Sequence, residues 1–266
     1  MTSNDTINPD FKKWALLPTG CDGGDWGSPE NPSIWICGLE WGNIDKKDIK
    51  KMEEEFANPK IHAGYKYTEK EIKEQLGYHF NQACYKILHA LAAFDINDPH
   101  HTAGKKSKNY VDFFHKTKPF VEGEAGYLKI NLYPLAFKNT SPDNWASTQR
   151  ISTGIKSKED YKTWIKKERF PVIRKWVEKH KPRLILCFGT SDRTDFATAF
   201  LESKAKFQKI DKSVSKGLTI YQQRINDGKT LVVIAAHPTS PSKIMKSDEE
   251  RENLGKYLAE ALNRQQ

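Results

Sequence analysis

Three polar side chains that suit acid–base or hydrogen-bonding chemistry stand at or just after short apolar runs of this chain. Glu40 offers a carboxylate, Asn131 a carboxamide and His237 an imidazole. A carboxamide donates and accepts hydrogen bonds together, whereas a carboxylate or an imidazole can act as a general base or acid. Each residue alone has a structural alternative: Glu40 as a turn cap, Asn131 in a buried polar network, His237 as a structural histidine. The functional hypothesis therefore depends on their joint placement.

Small hydroxyl residues and cations occur in two of the same loops. Hydroxyl groups and backbone N–H groups bind phosphate oxygens without needing a large positive charge. These residues predict a phosphate-binding rim, and they are Thr190, Ser191, Arg193, Thr239, Ser240, Ser242 and Lys243.

The elements that must position these side chains are four apolar runs of six or seven residues. They cover 33–38, 127–133, 183–189 and 230–236. Their β-branched and aromatic content predicts strands, and three lack polar–apolar alternation, which is typical of strands buried on both faces. In open α/β sheets, ligands bind outside the carboxyl ends of the strands. The candidate residues occupy those positions.

Helical patterns separate the apolar runs. Apolar residues recur at helical spacing over 69–94, residues 161–179 suggest two helices with Pro171 opening the second, and 192–202 follows the third run. Ser247 with Glu250 forms a capping box before a last helix, and 218–225 with 230–236 suggests a strand–turn–strand unit.

We therefore predict one α/β domain over residues 1–266. Its expected architecture is a three-layer sandwich with a central, mostly parallel sheet of four to five strands. Residues 99–126 show no clear periodicity and are predicted to be a loop excursion.

Composition excludes several classes of protein. Hydrophobic residues make up 37% and aromatic residues 11% of the 266 residues, which argues against a disordered chain. The strongest apolar run, 231–236, is far shorter than the roughly 20 residues that span a bilayer, and no secretory signal is visible, so a soluble cytoplasmic protein is expected. A net charge of +9 is compatible with nucleic acid but does not decide for it.

Metal sites and cofactors are not predicted. The four cysteines are scattered without a C-x-x-C pair, so their spacing suggests neither a zinc site nor an iron–sulfur cluster. His100, His101 and His115 lack convincing ligand spacing and are expected to be solvated loop histidines.

The order of the three loops resembles the uracil-DNA glycosylase superfamily. Gly38-Leu39-Glu40-Trp41-Gly42 is similar to its first motif, and 131–137 is most similar to the matching segment of the single-strand-selective monofunctional branch. The loop 237–242, His-Pro-Thr-Ser-Pro-Ser, is similar to its closing motif. Trp41 stands where the family usually has Pro, Glu40 where better-known branches have Asp or Asn, and Thr239 where Ser is usual.

The resemblance implies a glycosylase-like fold and a monofunctional DNA glycosylase in base-excision repair. Such an enzyme flips a uracil or another modified base out of DNA and hydrolyses its N-glycosidic bond. Glu40 would stabilise the oxocarbenium-like sugar or orient the water, and His237 would donate a hydrogen bond to the leaving base. The implied base-binding residues are Gly38, Leu39, Trp41, Gly42 and Asn131. The expected partner is DNA, single-stranded or duplex, bound by a monomer without a cofactor.

Two alternatives stay open. The altered first motif is compatible with a catalytically inactive, glycosylase-like protein that binds nucleic acid or has a regulatory role. The same sheet could also carry a small-nucleotide hydrolase. Release of free base from a modified strand distinguishes a glycosylase from a binding module.

Overall fold

The computed structural model describes residues 7–42, 49–59, 66–137, 141, 145–201, 206–210, 218–239, 245 and 247–264. The strands in these ranges are β1 (Cys21–Gly24), β2 (Ile34–Gly38), β3 (Trp41–Gly42), β4 (Tyr127–Asn131), β5 (Ala136–Phe137), β6 (Leu184–Phe188), β7 (Gln208–Ile210), β8 (Ile220–Ile225) and β9 (Thr230–Ala235). The helices are α1 (Pro9–Leu16), α2 (Ile49–Ala57), α3 (Glu69–Gly77), α4 (His79–Phe94), α5 (His101–Lys106), α6 (Tyr110–Thr117), α7 (Ser147–Thr153), α8 (Lys158–Glu168), α9 (Phe170–His180), α10 (Arg193–Phe200) and α11 (Asp248–Asn263).

The four apolar runs form neighbouring, parallel strands at the centre of one sheet. The strand order is β1-β4-β2-β6-β9-β8-β7, and the pairs β4–β2, β2–β6 and β6–β9 are parallel. The flanking strands β1, β8 and β7 are antiparallel to their neighbours, so the described sheet is mixed and has seven strands. It is therefore larger than the predicted four to five mostly parallel strands. The two edge strands, CDGG and QKI, carry no apolar run that would have marked them.

Helices cover both faces of the sheet, which makes a three-layer α/β fold. Alternate side chains of β2 divide between the layers: Trp35 and Cys37 pack in the core with α1, α8 and α9, whereas Ile34 and Ile36 pack with α4, α6 and α11. On the second face, α11 crosses α4 closely at Gly255. A Cβ at this glycine would lie 2.5 Å from the carbonyl oxygen of Ile87, so the approach of the two helices requires the missing side chain.

Residues 99–126 are not a loop excursion but carry α5 and α6. Phe113, Phe114 and Phe120 from this segment are buried in the core beneath α4. The Asn109 side chain caps α6 by accepting from the N–H groups of Val111 and Asp112. Helices of only six and eight residues are too short to display the periodicity on which the sequence prediction depended.

The histidines of this segment have protein partners instead of being simply solvated. The ring nitrogens of His100 and His101 lie 3.0 and 2.9 Å from the carbonyl oxygens of Ala125 and Ala92. His115 is exposed, and its Nδ1 lies 2.5 Å from the Tyr67 hydroxyl. Among the residues that the structure describes, no group of three or more His, Cys, Asp or Glu could hold a metal ion.

Most of the remaining local predictions are confirmed. Pro171 lies in the first turn of α9, the capping box between Ser247 and Glu250 opens α11, and β8 and β9 form a hairpin. The predicted helix over 69–94 is interrupted at Tyr78, which is extended between α3 and α4. No helix in the described ranges has the length and apolar character to cross a membrane.

Candidate functional site

The parallel arrangement brings the three candidate residues to one edge of the sheet. Asn131 is the last residue of β4, Glu40 lies two residues beyond β2, and His237 lies two residues beyond β9. Because β4, β2, β6 and β9 all run in the same direction, their carboxyl ends meet at this edge. Neighbouring strands are about 4.8 Å apart, so β4 and β9, with β2 and β6 between them, are separated by roughly 14 Å.

Asn131 lies directly against Gly38. The two residues are partners in the β2–β4 register, and a Cβ at position 38 would lie only 2.1 Å from the Asn131 Oδ1 atom. Only glycine therefore leaves room for the carboxamide above β2. Asn131 is 6% exposed, and no group in the described part of the chain forms a hydrogen bond with its amide. An amide at the edge of the sheet with no hydrogen bond to the described protein can form hydrogen bonds with a ligand through both its donor and its acceptor.

An aromatic wall occupies the same face of the sheet as Asn131. The Phe80 ring, at the start of α4, packs tilted on His237 at 5.4 Å and edge-on to Phe188 at 5.7 Å between ring centroids. Lys129, two residues before Asn131 on β4, places its Nζ 5.3 Å from the Phe80 centroid. We call Asn131, Phe80 and His237 the base half of the site. Phe80 was missed as a site residue because it fits the apolar stripe of a helix.

His237 is held as a neutral hydrogen-bond donor. Its Nδ1 accepts the backbone N–H of Thr239 at 3.4 Å, and the Thr239 hydroxyl lies 3.2 Å from the same atom. Accepting at Nδ1 leaves the ring proton on Nε2. Burial lowers the pKa of His237, which further favours the neutral imidazole. His237 is nevertheless exposed at the surface, so a ligand can reach its ring.

Glu40 is a buried carboxylate paired with a buried lysine. Its Oε1 lies 3.1 Å from Lys158 Nζ on α8, and the two side chains are 5% and 1% exposed. The ammonium also lies 3.7 Å from the centroid of the Phe137 ring. Glu40 Oε2 is buried and has no hydrogen-bond partner in the described part of the chain. We call Glu40 and Lys158 the carboxylate half of the site.

Burial dominates the electrostatics of this pair. It raises the pKa of Glu40 even though the Lys158 ammonium opposes the shift. Burial likewise lowers the pKa of Lys158, with Glu40 acting in the opposite direction. The sequence could not indicate this pairing, because Lys158 lies 118 residues from Glu40 and is one of many lysines.

The base half and the carboxylate half of the site contact helices on opposite faces of the sheet. Glu40 contacts α8, which packs on one face of the sheet, whereas His237 contacts Phe80 of α4 on the other. The sheet edge lies between them.

The remaining residues of the first motif have mixed placements. The Leu39 side chain is 8% exposed and packs in the core, and the Leu39 carbonyl accepts the Tyr133 N–H at 2.9 Å. Trp41 and Gly42 form β3, which pairs with β5, and a Cβ at Gly42 would meet open space. The Trp41 side chain lies outside the described part of the structure.

The predicted phosphate rim is placed only in part. Thr190 and Ser191 form a 3₁₀ turn after Gly189, and the Ser191 hydroxyl donates to Asp192 Oδ2 at 2.9 Å. Arg193 is exposed, donates to the Tyr221 hydroxyl at 2.6 Å and stacks on that ring at 4.4 Å. Ser240, Ser242 and Lys243 lie outside the described residues, and Thr239 bonds to His237.

Sequence comparisons add no relative. Neither a protein-family model nor a curated protein matches this chain.

Proposed function

We propose that this chain is a monofunctional DNA glycosylase, an N-glycosyl hydrolase that removes a flipped uracil or another modified base from DNA. The observation that carries the proposal is the Asn131 carboxamide, which is nearly buried beside an aromatic ring and has no hydrogen-bond partner in the described chain. Such an amide can pair with the polar edge of a pyrimidine while Phe80 contacts its face.

The chemistry follows from the two halves. Water attacks C1′ of the sugar, a C–O bond forms, and the N-glycosidic bond breaks with its electron pair leaving on the base. The Glu40 carboxylate, with its unpartnered Oε2, accepts the proton of the water and stabilises the positive charge on the sugar. The His237 Nε2–H donates to the base oxygen on which negative charge develops.

The test is single-turnover base release from oligonucleotides that contain uracil, hypoxanthine or an oxidised pyrimidine, with binding measured in parallel. The wild type should release base from at least one of them. His237→Ala should lower the rate by roughly 10²–10³, the usual effect of losing one preorganised donor, with little change in DNA affinity. His115→Ala is the matched control, because this histidine is exposed on α6, and should leave the rate unchanged.

The pH dependence supplies a second readout. Glu40 must be ionised to act, so the rate should fall as the pH falls through its pKa, which burial raises above the ordinary glutamate range. Burial lowers the pKa of His237, which extends the pH range of its neutral, donating ring toward lower pH. Lys158→Met removes the charge that opposes the shift and should move the acid limb to higher pH. An acid limb unchanged by Lys158→Met would contradict the role of Glu40.

The engagement of Glu40 by Lys158 favours one alternative, a glycosylase-like protein that binds nucleic acid without cleaving it. The glycosylase proposal and this alternative both predict that the protein binds DNA. Tight binding with no base released from any of the three oligonucleotides would replace the glycosylase proposal by this one.

A further inference from the structure

A cavity lies beside the loop that carries His237. It has a volume of about 300 Å³ and lies between the first turns of α4 and the start of α11. Its polar lining comprises His79, Gln82, Lys86, Thr239 and Arg251. Neither Asn131 nor Glu40 lines it, so it is distinct from the base and carboxylate halves.

Two sheltered cations share one exposed carboxylate at this cavity. Lys86 Nζ lies 2.6 Å and Arg251 Nη1 2.8 Å from the same oxygen of Asp248. The side chains of Lys86 and Arg251 are 17% and 15% exposed, whereas that of Asp248 is 59% exposed. The positive charges are thus fixed at the cavity while the negative charge faces solvent. The neighbouring Glu250 carboxylate accepts the Ser247 N–H at 2.9 Å.

Arg251 is anchored on the wall of this cavity. Its Nη2 donates to the carbonyl oxygens of Pro238 and Met245 at 3.3 and 3.1 Å, which fixes the guanidinium against the His237 loop. Its Nη1 is directed to the exposed Asp248 carboxylate. The positive charge is therefore held in place by the protein, and the exposed Asp248 carboxylate is the group that an anion would have to replace.

We infer that this cavity binds a backbone phosphate of the DNA strand whose base enters the site, with Lys86 and Arg251 as the charged contacts. The inference rests on the proposed function for the identity of the strand. Charge-assisted hydrogen bonds from lysine and arginine are the usual phosphate contacts, and Gln82 and Thr239 add neutral ones. Because Thr239 also bonds to His237 Nδ1, a phosphate here holds the loop that orients the imidazole.

The test uses two substitutions that break the same ion pair from opposite sides. Lys86→Met removes a phosphate contact and should weaken binding of a fluorescent single-stranded oligothymidylate about fivefold at low salt, as expected for one partly screened charge contact. It should also reduce the salt slope, the steepness with which log affinity falls with log salt concentration, by about 0.7, which is the value for one phosphate on a single strand. Asp248→Asn removes the carboxylate that competes with phosphate for Lys86 and Arg251. It should therefore tighten oligonucleotide binding and steepen the salt slope. Fluorescence anisotropy over a sodium chloride series measures both.

Controls separate this site from a structural salt bridge and from the glycosylase activity. Lys86→Arg should retain affinity, and Arg264→Met, at the far end of α11, should change it little, with thermal melts confirming that each variant is folded. Equal weakening by Lys86→Met and Asp248→Asn, no change in either, or no binding by the wild type would overturn the inference. Competition by inorganic phosphate alone, with no affinity for the oligonucleotide, would show a site for free phosphate and would also overturn it. Base release is not part of the readout, so failure of the glycosylase proposal is seen separately.

Discussion

The Glu40–Lys158 ion pair determines the electrostatics of the carboxylate half of the site. It also limits the substitutions that these two positions tolerate. The two charges are almost fully removed from water and face each other at 3.1 Å. Such a pair adds little net stability compared with apolar residues, but removing one partner leaves the other charge buried without that compensation. Glu40→Gln preserves the shape of the side chain but leaves the Lys158 charge buried without its partner.

We therefore expect Glu40→Gln to lower the free energy of unfolding by about 3–5 kcal/mol, the usual cost of breaking a buried pair from one side. The double variant Glu40→Gln with Lys158→Met should recover most of that loss, since no charge then stays buried. Urea denaturation followed by circular dichroism measures both. A single variant as stable as the wild type, or a double variant less stable than the single, would contradict the pairing argument.

At the scale of strands, the β2–β4 register creates the recognition surface. Gly38 and Asn131 are opposite each other, and the amide fills the space that a side chain at 38 would take. The site therefore depends on a contact between adjacent strands whose residues are more than ninety positions apart in sequence.

Gly38→Ala should displace the Asn131 amide, because the new Cβ would overlap Oδ1. Base release should fall to the level of Asn131→Ala, and the double variant should be no slower than either single variant, since both remove the same hydrogen bonds. Single-turnover rates for the four proteins form the cycle. Gly77→Ala is the matched control, because Gly77 lies on α3, outside the site, and a Cβ there meets open space. Additive losses would mean that Gly38 acts independently of Asn131.

The elements that the sequence predicts well are those with strong local signals. The four central strands are uninterrupted apolar runs, and Pro171 and the Ser247–Glu250 capping box mark helix starts by local chemistry. The short edge strands and the helices within 99–126 have no comparable signal, since packing against α4 and the sheet edge stabilises them. Lys158 and Phe80 join the site through tertiary contacts, which no local pattern of residues encodes.

At the scale of the whole molecule, one buried arginine links segments from three parts of the chain. Arg169, between α8 and α9, is fully buried. It donates to the carbonyl oxygens of Leu132 at 3.1 Å, Leu17 at 2.8 Å and also Ala15. It thus joins the end of α1, the loop that follows Asn131 and the α8–α9 junction. Burial lowers the pKa of Arg169 to about 10, and because this value is still well above 7, the guanidinium is charged at neutral pH.

Arg169→Met should consequently destabilise the molecule as a whole. It leaves the buried carbonyl groups of Ala15 and Leu132 without this donor, whereas the Leu17 carbonyl still accepts the Thr19 N–H. Each of the two unpaired carbonyl groups costs about 1–3 kcal/mol, so the free energy of unfolding should fall by at least about 2 kcal/mol. Arg174→Met is the matched control on α9: Arg174 is only half-buried and donates to one carbonyl, that of Thr198, so its loss should cost less than about 1 kcal/mol.

Urea unfolding should be monitored by both tryptophan fluorescence and circular dichroism. Because Arg169 links the N-terminal segment to the sheet and to the α8–α9 layer, the two signals should shift together to lower urea. A shift confined to fluorescence would instead mean that Arg169 secures only one segment.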